Sequence, residues 1–405
     1  MTARRILLAD ADAFYVAVAR MVDPEGAGKA ELLIVGGTRD SRGVVCSASY
    51  EARKFGVRSA MAIATALRLC PDAMCVPIPR RICSEKSHEI RVALERFSPV
   101  VEGASIDEWY LDMGGTEGVY GHEPLARTAK RIRDAVTAET KLSVSIGGGT
   151  SKLVAKLAVE RAKPKPGTGA TGVHVVNPGD EQTFLETFEL ADIPLIGPRF
   201  QERLAKLGMH RVTDVLPYDI PTLSQWLSPR EAEWLYARVR GIDAREVESH
   251  GDAKSISRDE TFPADIASDD ELERELLALI TRAAADLRAD GLTARTITVR
   301  LRDFDFKTRS AGRTLDAPVI SDRVIFSVGR QLLAKLRQKR RVPARLIGVA
   351  LSALIADTTA DQLTLFELAD ERSEETDRDR VLAKTIDLVR AKFGDRGILP
   401  ARLID

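Results

Sequence analysis

The sequence predicts a multidomain α+β protein in which a sheet is layered with helices on one face. A chain of 405 residues is too long for one hydrophobic core, and 44% apolar with 30% charged residues is an ordinary globular balance. In the first part of the chain, short apolar runs alternate with stretches of helical period, which indicates strands alternating with helices. A middle stretch has helical period throughout, so a separate helical module is expected there.

The first part of the chain supplies the predicted sheet. Arg5–Ala9 is a short apolar run that ends in acids, which is typical of a buried strand. Val100–Ala104 and Trp109–Met113 flank the polar residues Ser105–Glu108, which predicts a hairpin with acids at its turn. The remaining elements, bounded by glycine, proline or polar residues, are strands Leu32–Val35, Val44–Ser47 and Leu142–Ile146 and helices Met61–Leu69, Ser84–Phe97 and Glu123–Thr140.

Glycines and prolines then punctuate the rest of the chain. Gly147–Gly149 predict a tight turn into a helix capped by Thr150 or Ser151, and residues 163–167 form a proline-rich breaker. Glu181–Arg240 is the helical module, and the polar stretch Gly241–Ala253 is a second boundary. Beyond it the pattern predicts helices Asp270–Asp290, Val324–Arg337 and Val381–Phe393 and strands Thr296–Arg302 and Arg345–Leu351.

Composition excludes several classes of protein. No apolar run approaches the ~20 residues that cross a bilayer, and acids interrupt the apolar N-terminal stretch that a signal peptide needs. Cys46, Cys70, Cys75 and Cys83 form no CxxC pair and no disulfide framework, so we expect no zinc site and a location in the reducing cytoplasm. A monomer without membrane contact is the expected state.

The net charge of zero hides an uneven distribution. Residues 292–350 contain 14 Lys and Arg against 4 Asp and Glu, whereas residues 356–405 contain 8 against 12. A strongly basic block inside a neutral chain is compatible with a solvated face, but it also suits a polyanionic partner.

Acidic residues end two of the predicted strands. Asp10 and Asp12 follow the first strand, and Asp107 and Glu108 lie in the hairpin turn. Each pair alone is typical of a solvated turn, but strand ends of one sheet could bring three carboxylates together. Such carboxylates repel unless cations neutralise them, and hard oxygen ligands suit Mg²⁺, two ions of which can clamp a phosphoryl transfer.

A phosphate substrate would also need cationic partners. Tyr50 and Arg53 are three residues apart, on one face of a predicted helical turn, and Lys163 follows a predicted helix. Each of them could equally be a surface cation or a packed aromatic residue.

These motifs resemble those of the Y-family translesion DNA polymerases, most closely the DNA polymerase IV type. The matching residues are Asp10-x-Asp12-x-Phe14-Tyr15 and Ser105-Ile106-Asp107-Glu108 followed by Tyr110-Leu111-Asp112. The similarity covers roughly the first 355 residues in consistent order, and this combination rarely arises by chance.

The resemblance implies a right-hand polymerase with a ferredoxin-like palm (residues 1–12 and 80–172) and small fingers (13–79). It also implies a helical thumb with a helix-hairpin-helix (173–241), an α/β little finger (253–355) and an acidic tail (356–405). Its implied activity is template-directed, low-fidelity addition of dNTPs to the 3′ end of primer-template DNA by two Mg²⁺ ions.

The resemblance also implies roles for residues. Asp10, Asp107 and Glu108 would be catalytic and bind both Mg²⁺ ions, together with the Ala11 carbonyl. Tyr15 would be the steric gate against a ribose 2′-hydroxyl. The expected dNTP-binding residues are Phe14, Tyr15, Ser47, Tyr50, Arg53 and Lys163, with the small residues Val44, Cys46 and Ala60 over the nascent base pair. The expected DNA-binding residues are Gly197, Lys254, Arg258, Arg300, Arg302, Lys307, Arg309 and Arg313.

Two further features follow the same resemblance. The thumb hairpin lacks its usual first glycine and reads Leu195-Ile196-Gly197. Gln362, Leu363, Leu365 and Phe366 resemble the peptide by which such polymerases bind the bacterial sliding clamp.

Two other functions stay open at this point. A non-catalytic DNA-binding adaptor in DNA repair could share the fold, although it should have lost a metal carboxylate. A nucleotidyl cyclase would leave the thumb and the basic block without a purpose.

Overall fold

The computed structural model of the chain describes residues 3–164, 169–249, 251, 253–357, 374–394 and 397–403. It divides into two compact units, residues 1–251 and 252–405. The multidomain α+β class predicted from the sequence is confirmed. Residues 362–366, the candidate clamp-binding peptide, lie outside the described ranges. No helix within those ranges is long and apolar enough to cross a membrane.

The first unit contains eight strands and eleven α-helices within its described residues. The elements are, in order, β1 (Ile6–Ala11), α1 (Phe14–Val22), β2 (Leu33–Val35), β3 (Ser47–Ala48), α2 (Tyr50–Lys54), α3 (Ile63–Leu69), β4 (Met74–Val76), α4 (Arg80–Glu95), β5 (Val100–Gly103), β6 (Glu108–Asp112), α5 (Leu125–Thr140), β7 (Val144–Gly149), α6 (Lys152–Ala162), β8 (Val173–Val175), α7 (Glu181–Leu185), α8 (Pro198–Ala205), α9 (Val212–Val215), α10 (Ile220–Leu223) and α11 (Pro229–Arg238).

The palm sheet has five strands in the order β5-β6-β1-β7-β8. The predicted hairpin is present, because β5 pairs antiparallel with β6. Alternate residues of β1 face opposite sides: Leu7 and Ala9 pack with α4 and α5, whereas Ile6 and Leu8 pack against α6. The prediction of helices on one face only is therefore wrong for this sheet, since α6 covers the second face.

The three glycines at 147–149 form the end of strand β7 and not the predicted turn. A Cβ atom on Gly147 would lie 2.8 Å from the carbonyl carbon of Ala158 and closer still to other backbone atoms of α6. Glycine is required here because the helix backbone packs directly on the strand. Ser151, one of the two predicted caps, is the N-cap of α6 and accepts a hydrogen bond from Val154 N at 3.2 Å.

Between α1 and α4 lies a small three-stranded sheet in the order β3-β2-β4, packed with α2 and α3 around a core that includes Ile34, Ala52 and Ile63. The predicted strand Val44–Ser47 is shorter and later, at Ser47–Ala48, and Val44 forms only an isolated bridge to Ala62.

The helical module packs against the palm through α6. Leu153, Val154 and Leu157 of α6 belong to the same apolar core as Leu204 and Leu235 of the module. The segment after the module lies on the palm as well, because Val247 is buried beside Ile6, Leu8 and Tyr110. One helix thus supports the sheet, the module and the chain that follows the module.

The second unit contains a four-stranded sheet in the order β11-β10-β12-β9. Its elements are β9 (Ser255–Ile266), α12 (Asp269–Ala289), β10 (Leu292–Asp303), β11 (Thr308–Val319), α13 (Asp322–Lys339), β12 (Ala344–Ala356) and α14 (Asp377–Phe393). Both outer strands, β9 and β11, are absent from the sequence prediction. The core lies between one sheet face and helices α12 and α13, with Ile280, Val299 and Val328 fully buried.

The helix predicted in the acidic tail is present and packs on this unit. Asp387 of α14 accepts hydrogen bonds from Arg288 at 2.5 and 2.8 Å, and Asp379 accepts two from Arg323 at 2.7 Å. The described part of the tail is therefore folded onto the second unit and is not an independent extension.

Candidate active site and nucleic-acid interface

Strand pairing brings two of the predicted carboxylates face to face. Asp10 at the end of β1 is directly opposite Glu108 at the start of β6. Directly opposed residues of an antiparallel pair have Cβ atoms about 5 Å apart on the same face. Asp107 lies in the adjoining turn, which Ala11 N holds through a 2.9 Å hydrogen bond to Asp107 O. The three acids therefore lie at the same end of the neighbouring strands β1 and β6, which we call the acidic edge.

Asp10 is buried, with 7% of its side chain exposed, and Lys163 Nζ lies 2.9 Å from its Oδ2 atom. Burial raises the pKa of the Asp10 carboxyl well above its usual value, while the charge and hydrogen bond of Lys163 lower it. Such a carboxylate is under-solvated and gains from any cation that approaches it.

The other two carboxylates have different partners. Glu108 forms an ion pair with Lys156 of α6. Asp107 accepts a 2.6 Å hydrogen bond from Ser105 Oγ. The neighbouring Asp12 accepts hydrogen bonds from two serine hydroxyls of the β7 region, which fixes it on the opposite side of β1 from β6.

Two tyrosines border this acidic edge. Tyr15 follows it at the start of α1, and burial together with the charge of Asp107 raises its pKa. Burial and the charges of Asp12 and Asp10 raise the pKa of Tyr50, while the positive charges of Arg53 and Lys163 lower it in part, so the ring lies near both groups of charges.

Arg53 is held in place on α2. Its Nε atom donates to Ala48 O at 2.9 Å, an NH2 group donates to Ser47 Oγ at 3.3 Å, and its guanidinium lies 5.4 Å from the Tyr50 ring centre. Ser49 caps the helix. Lys163 thus contacts the Asp10 carboxylate, and Arg53 lies beside Tyr50, so that cations are available near the acids for an anionic substrate.

Comparisons with known proteins agree with this geometry. The impB/mucB/samB family matches residues 9–160, and its C-terminal domain matches residues 253–365. DNA polymerase IV of Dehalococcoides mccartyi (strain CBDB1) is 35% identical over 402 residues, 99% of this chain and 98% of the relative. DNA polymerase IV of Gluconobacter oxydans (strain 621H) is 34% identical over 368 residues, 90% of this chain and 99% of the relative.

Solved structures give the same result. A Y-family DNA polymerase chimera based on Dbh has a TM-score of 0.76 at 27% identity and covers 87% of this chain and 99% of its own. An insertion ternary complex of Dbh DNA polymerase has a TM-score of 0.61 at 26% identity, with the same coverage. The chain belongs to the Y family of DNA polymerases. It is therefore a DNA-directed DNA polymerase.

The polymerase pairs two of its three predicted carboxylates with lysines. Among the described residues, no group of three His, Cys, Asp or Glu side chains has the geometry to hold a metal ion. Asp10 and Glu108 are instead neutralised by Lys163 and Lys156. Sequence reasoning missed Lys156 as a functional candidate. Its spacing of seven residues from Lys163 was a signal, because residues seven apart in a helical pattern share one face.

Two predicted dNTP-binding residues are buried in the polymerase. Phe14 is 2% exposed and belongs to the palm core, so its side chain is not available to a nucleotide. Ser47 is 5% exposed and accepts a hydrogen bond from Arg53, so it supports that arginine rather than presenting a free hydroxyl.

The thumb hairpin of the polymerase has the expected position but an unusual residue. Gly197 is the N-cap of α8, whereas Leu195 adopts φ +76° and is 76% exposed. A left-handed conformation normally favours glycine, so the backbone of Leu195 is strained while its side chain is exposed.

The predicted DNA-binding arginines divide between the two faces of the little-finger sheet. Arg300 and Arg302 lie on the open face, because their strand neighbours Val299 and Leu301 point into the core. Arg300 pairs with Asp259 at 3.0 Å, and Arg302 donates to Thr308 Oγ1 at 2.9 Å.

The other three arginines lie on the helix side, opposite core residues of the next strand. Arg309 binds Asp303 at 2.8 Å, Arg258 binds Asp286 at 2.9 Å and Arg313 pairs with Glu374. The five arginines therefore do not share one face of the sheet. Lys254 and Lys307 are exposed, in a loop and a turn.

Proposed function

We propose that this DNA polymerase performs template-directed, low-fidelity translesion synthesis, adding dNTPs to a primer 3′ end by a two-metal-ion mechanism. The observation that carries the proposal is the opposition of Asp10 and Glu108 beside Asp107, bordered by Tyr50, Arg53 and Lys163. Carboxylates at one edge and anion-binding groups next to them match what phosphoryl transfer requires.

The donor set fits Mg²⁺. Hard carboxylate oxygens are the ligands that this ion prefers, and the buried Asp10 carboxylate already attracts a cation in the form of Lys163. Asp10, Asp107, Glu108 and the Ala11 carbonyl would hold the ions. When bound, two such ions would supply Lewis-acid stabilisation of charge on the reacting phosphate oxygens.

The side chains of the chain itself have three tasks in this proposal. Arg53 and Lys163 neutralise the triphosphate, and the hydrogen bonds that fix Arg53 keep it oriented before the nucleotide arrives. Tyr15 lies under the sugar and excludes a 2′-hydroxyl by contact. The small residues Val44, Cys46 and Ala60 leave room around the nascent base pair, which suits damaged template bases and low fidelity.

Primer extension with Mg²⁺ tests the catalytic assignment. Asp107→Ala and Glu108→Ala should abolish incorporation yet leave primer-template affinity nearly unchanged, because DNA affinity depends on basic residues elsewhere. Asp112→Asn is the matched control, since this carboxylate lies at the far end of β6, where it accepts a hydrogen bond from Gly114 N at 2.8 Å. Unchanged incorporation by both alanine variants would overturn the assignment, and a wild type that binds DNA without incorporation would favour an adaptor.

DNA contacts of the second unit should lie on the open face of its sheet. Arg300→Ala should weaken binding and reduce its salt dependence, because phosphate contacts release counterions. Arg282→Ala is the matched control, an exposed arginine on α12 in the helix layer. Equal losses for both variants would exclude the open face as the specific interface.

We also propose that residues 362–366 bind a bacterial sliding clamp and that the enzyme acts as a cytoplasmic monomer. Leu365→Ala combined with Phe366→Ala should remove stimulation of primer extension by the clamp but spare clamp-free activity. Equal clamp binding by the double variant and the wild type, measured by surface plasmon resonance, would exclude the motif.

A further inference from the structure

Three lysines face three acids of the palm sheet. Two of the lysines lie in α6, and the third, Lys163, directly follows this helix. Lys152 pairs with Glu102 of β5 at 2.6 Å, Lys156 pairs with Glu108 of β6, and Lys163 pairs with Asp10 of β1 at 2.9 Å. These strands are neighbours in the order β5-β6-β1. The pairing follows from helical spacing, because residues four and seven apart share one face.

The sheet face explains why these pairs form. Glu102 is opposite Tyr110, and Glu108 is opposite Asp10, so all three acids lie on the face that α6 covers. Carboxylates on a covered face repel one another and lose hydration unless cations compensate them. Each lysine therefore acts as a resident counter-ion.

The pair of Lys152 with Glu102 and the pair of Lys163 with Asp10 have other roles. Glu102 also accepts a 2.9 Å hydrogen bond from Glu248 N, so its pair with Lys152 holds the segment that follows the thumb. Lys163 is shared with Glu160 at 2.6 Å and belongs to the proposed triphosphate site. The pair between Lys156 and Glu108 has neither role.

We infer that Lys156 is a placeholder cation, that is, a counter-ion that a divalent ion must displace from Glu108. Its pairing with Glu108 therefore sets the affinity of Asp10, Asp107 and Glu108 for divalent ions before DNA and nucleotide bind. The inference rests on the proposed function, in which Glu108 is a metal ligand. An ammonium and a divalent cation on the same carboxylate repel strongly at this range, so the lysine must leave Glu108 when the ion arrives. Lys156 is a positioning residue in this scheme, because it acts through Glu108.

Binding of Mn²⁺, followed by the electron paramagnetic resonance signal of the free ion, tests this without DNA, nucleotide or turnover. Lys156→Met should tighten Mn²⁺ binding about three- to fivefold, since an ion pair of this exposure is worth up to about a fivefold step in affinity. Lys156→Arg keeps the charge and should stay within about twofold of the wild type.

Two further variants separate this effect from a general loss of charge. Lys152→Met removes a lysine of the same helix whose partner is no proposed ligand, and it should leave Mn²⁺ affinity unchanged. In a Glu108→Gln background, Lys156→Met should have no further effect, because the pair is already broken. Should Lys156→Met fail to fold, Lys156→Gln is the second neutral variant.

The outcomes distinguish the inference from the function beneath it. Unchanged or weaker Mn²⁺ binding by the neutral variants, in an enzyme that extends primers, would overturn the placeholder role alone. A wild type that neither binds Mn²⁺ nor extends primers would overturn the proposed function itself.

Discussion

Gly147→Ala should be among the most damaging single-methyl additions in the palm. The glycine lies in β7 opposite Leu8, on the face covered by α6. Its missing Cβ would lie 2.8 Å from the carbonyl carbon of Ala158, and other backbone atoms of the helix are closer. Ordinary contact between carbon atoms begins at about 3.5 Å, so α6 would have to retreat by at least about 0.7 Å.

This displacement should lower both the free energy of unfolding and the rate of primer extension. Overpacking against backbone that has no rotamer to change should lower the free energy of unfolding by about 3 kcal/mol. The contact between Lys163 Nζ and Asp10 Oδ2 would lengthen from 2.9 Å towards about 3.6 Å, beyond hydrogen-bond range. We expect a loss of about 10- to 100-fold in primer extension, because active-site groups tolerate little misplacement.

Two other glycine variants serve as references for the stability and activity of Gly147→Ala. For Gly148→Ala the nearest atoms to the added Cβ belong to side chains, Leu7 Cδ2 at 2.8 Å and Val175 Cγ2 at 2.9 Å, which can shift more easily than backbone, so about 1 kcal/mol is expected. Gly118→Ala meets nothing within 4 Å and should stay within about 0.5 kcal/mol of the wild type. Urea unfolding and single-nucleotide extension measure both effects. A Gly147→Ala protein as stable and active as Gly118→Ala would refute the reasoning.

Three other perturbations test separate parts of the first unit. Tyr15→Ala should strongly increase ribonucleotide incorporation in primer extension, and unchanged sugar discrimination would exclude it as the gate. Leu195→Gly should raise the free energy of urea unfolding by about 0.5–1 kcal/mol, since it relieves a residue at φ +76°. Burial raises the pKa of Asp243, but hydrogen bonding to Arg245 and the charge of Arg238 outweigh it and lower the pKa to about 2. The folded value lies below the unfolded one, so this carboxylate stabilises the fold above pH ~4; Asp243→Asn should therefore cost about 2 kcal/mol at pH 7, a difference that shrinks as the pH falls towards 2.

The strands that sequence analysis missed are those with the least apolar alternation. Both β9 and β11 are outer strands of the little-finger sheet, and each has one open face and few buried residues. Period-2 alternation marks a strand only when one of its faces is buried, and an edge strand with charged residues on both sides lacks that mark. The central strand β10 has buried residues at alternate positions and was found.

The site was predictable in its residues but not in its pairings. The motifs around Asp10 and Asp107 indicate which carboxylates meet, because strand ends of one sheet converge. Which lysine meets which acid depends on the face that α6 turns to the sheet, and hence on the close approach permitted by Gly147. Sequence alone suggests a turn for three consecutive glycines, since turns and close packing both require the absence of a Cβ.

Helix α6 contacts the palm sheet, the thumb and the segment that follows the thumb. Its N-cap Ser151 donates to Gly241 O at 3.0 Å, and Lys152 donates to Glu246 O at 3.3 Å, so the segment that leaves the thumb is fixed to the palm. The same helix supplies Leu157 to the thumb core and Lys156 to the ion pair with Glu108. A shift of α6 must therefore change the carboxylates, the thumb and the exit of the chain together. Mutations that move the helix should show coupled effects on nucleotide incorporation and DNA binding, whereas mutations of single side chains on it should separate the two.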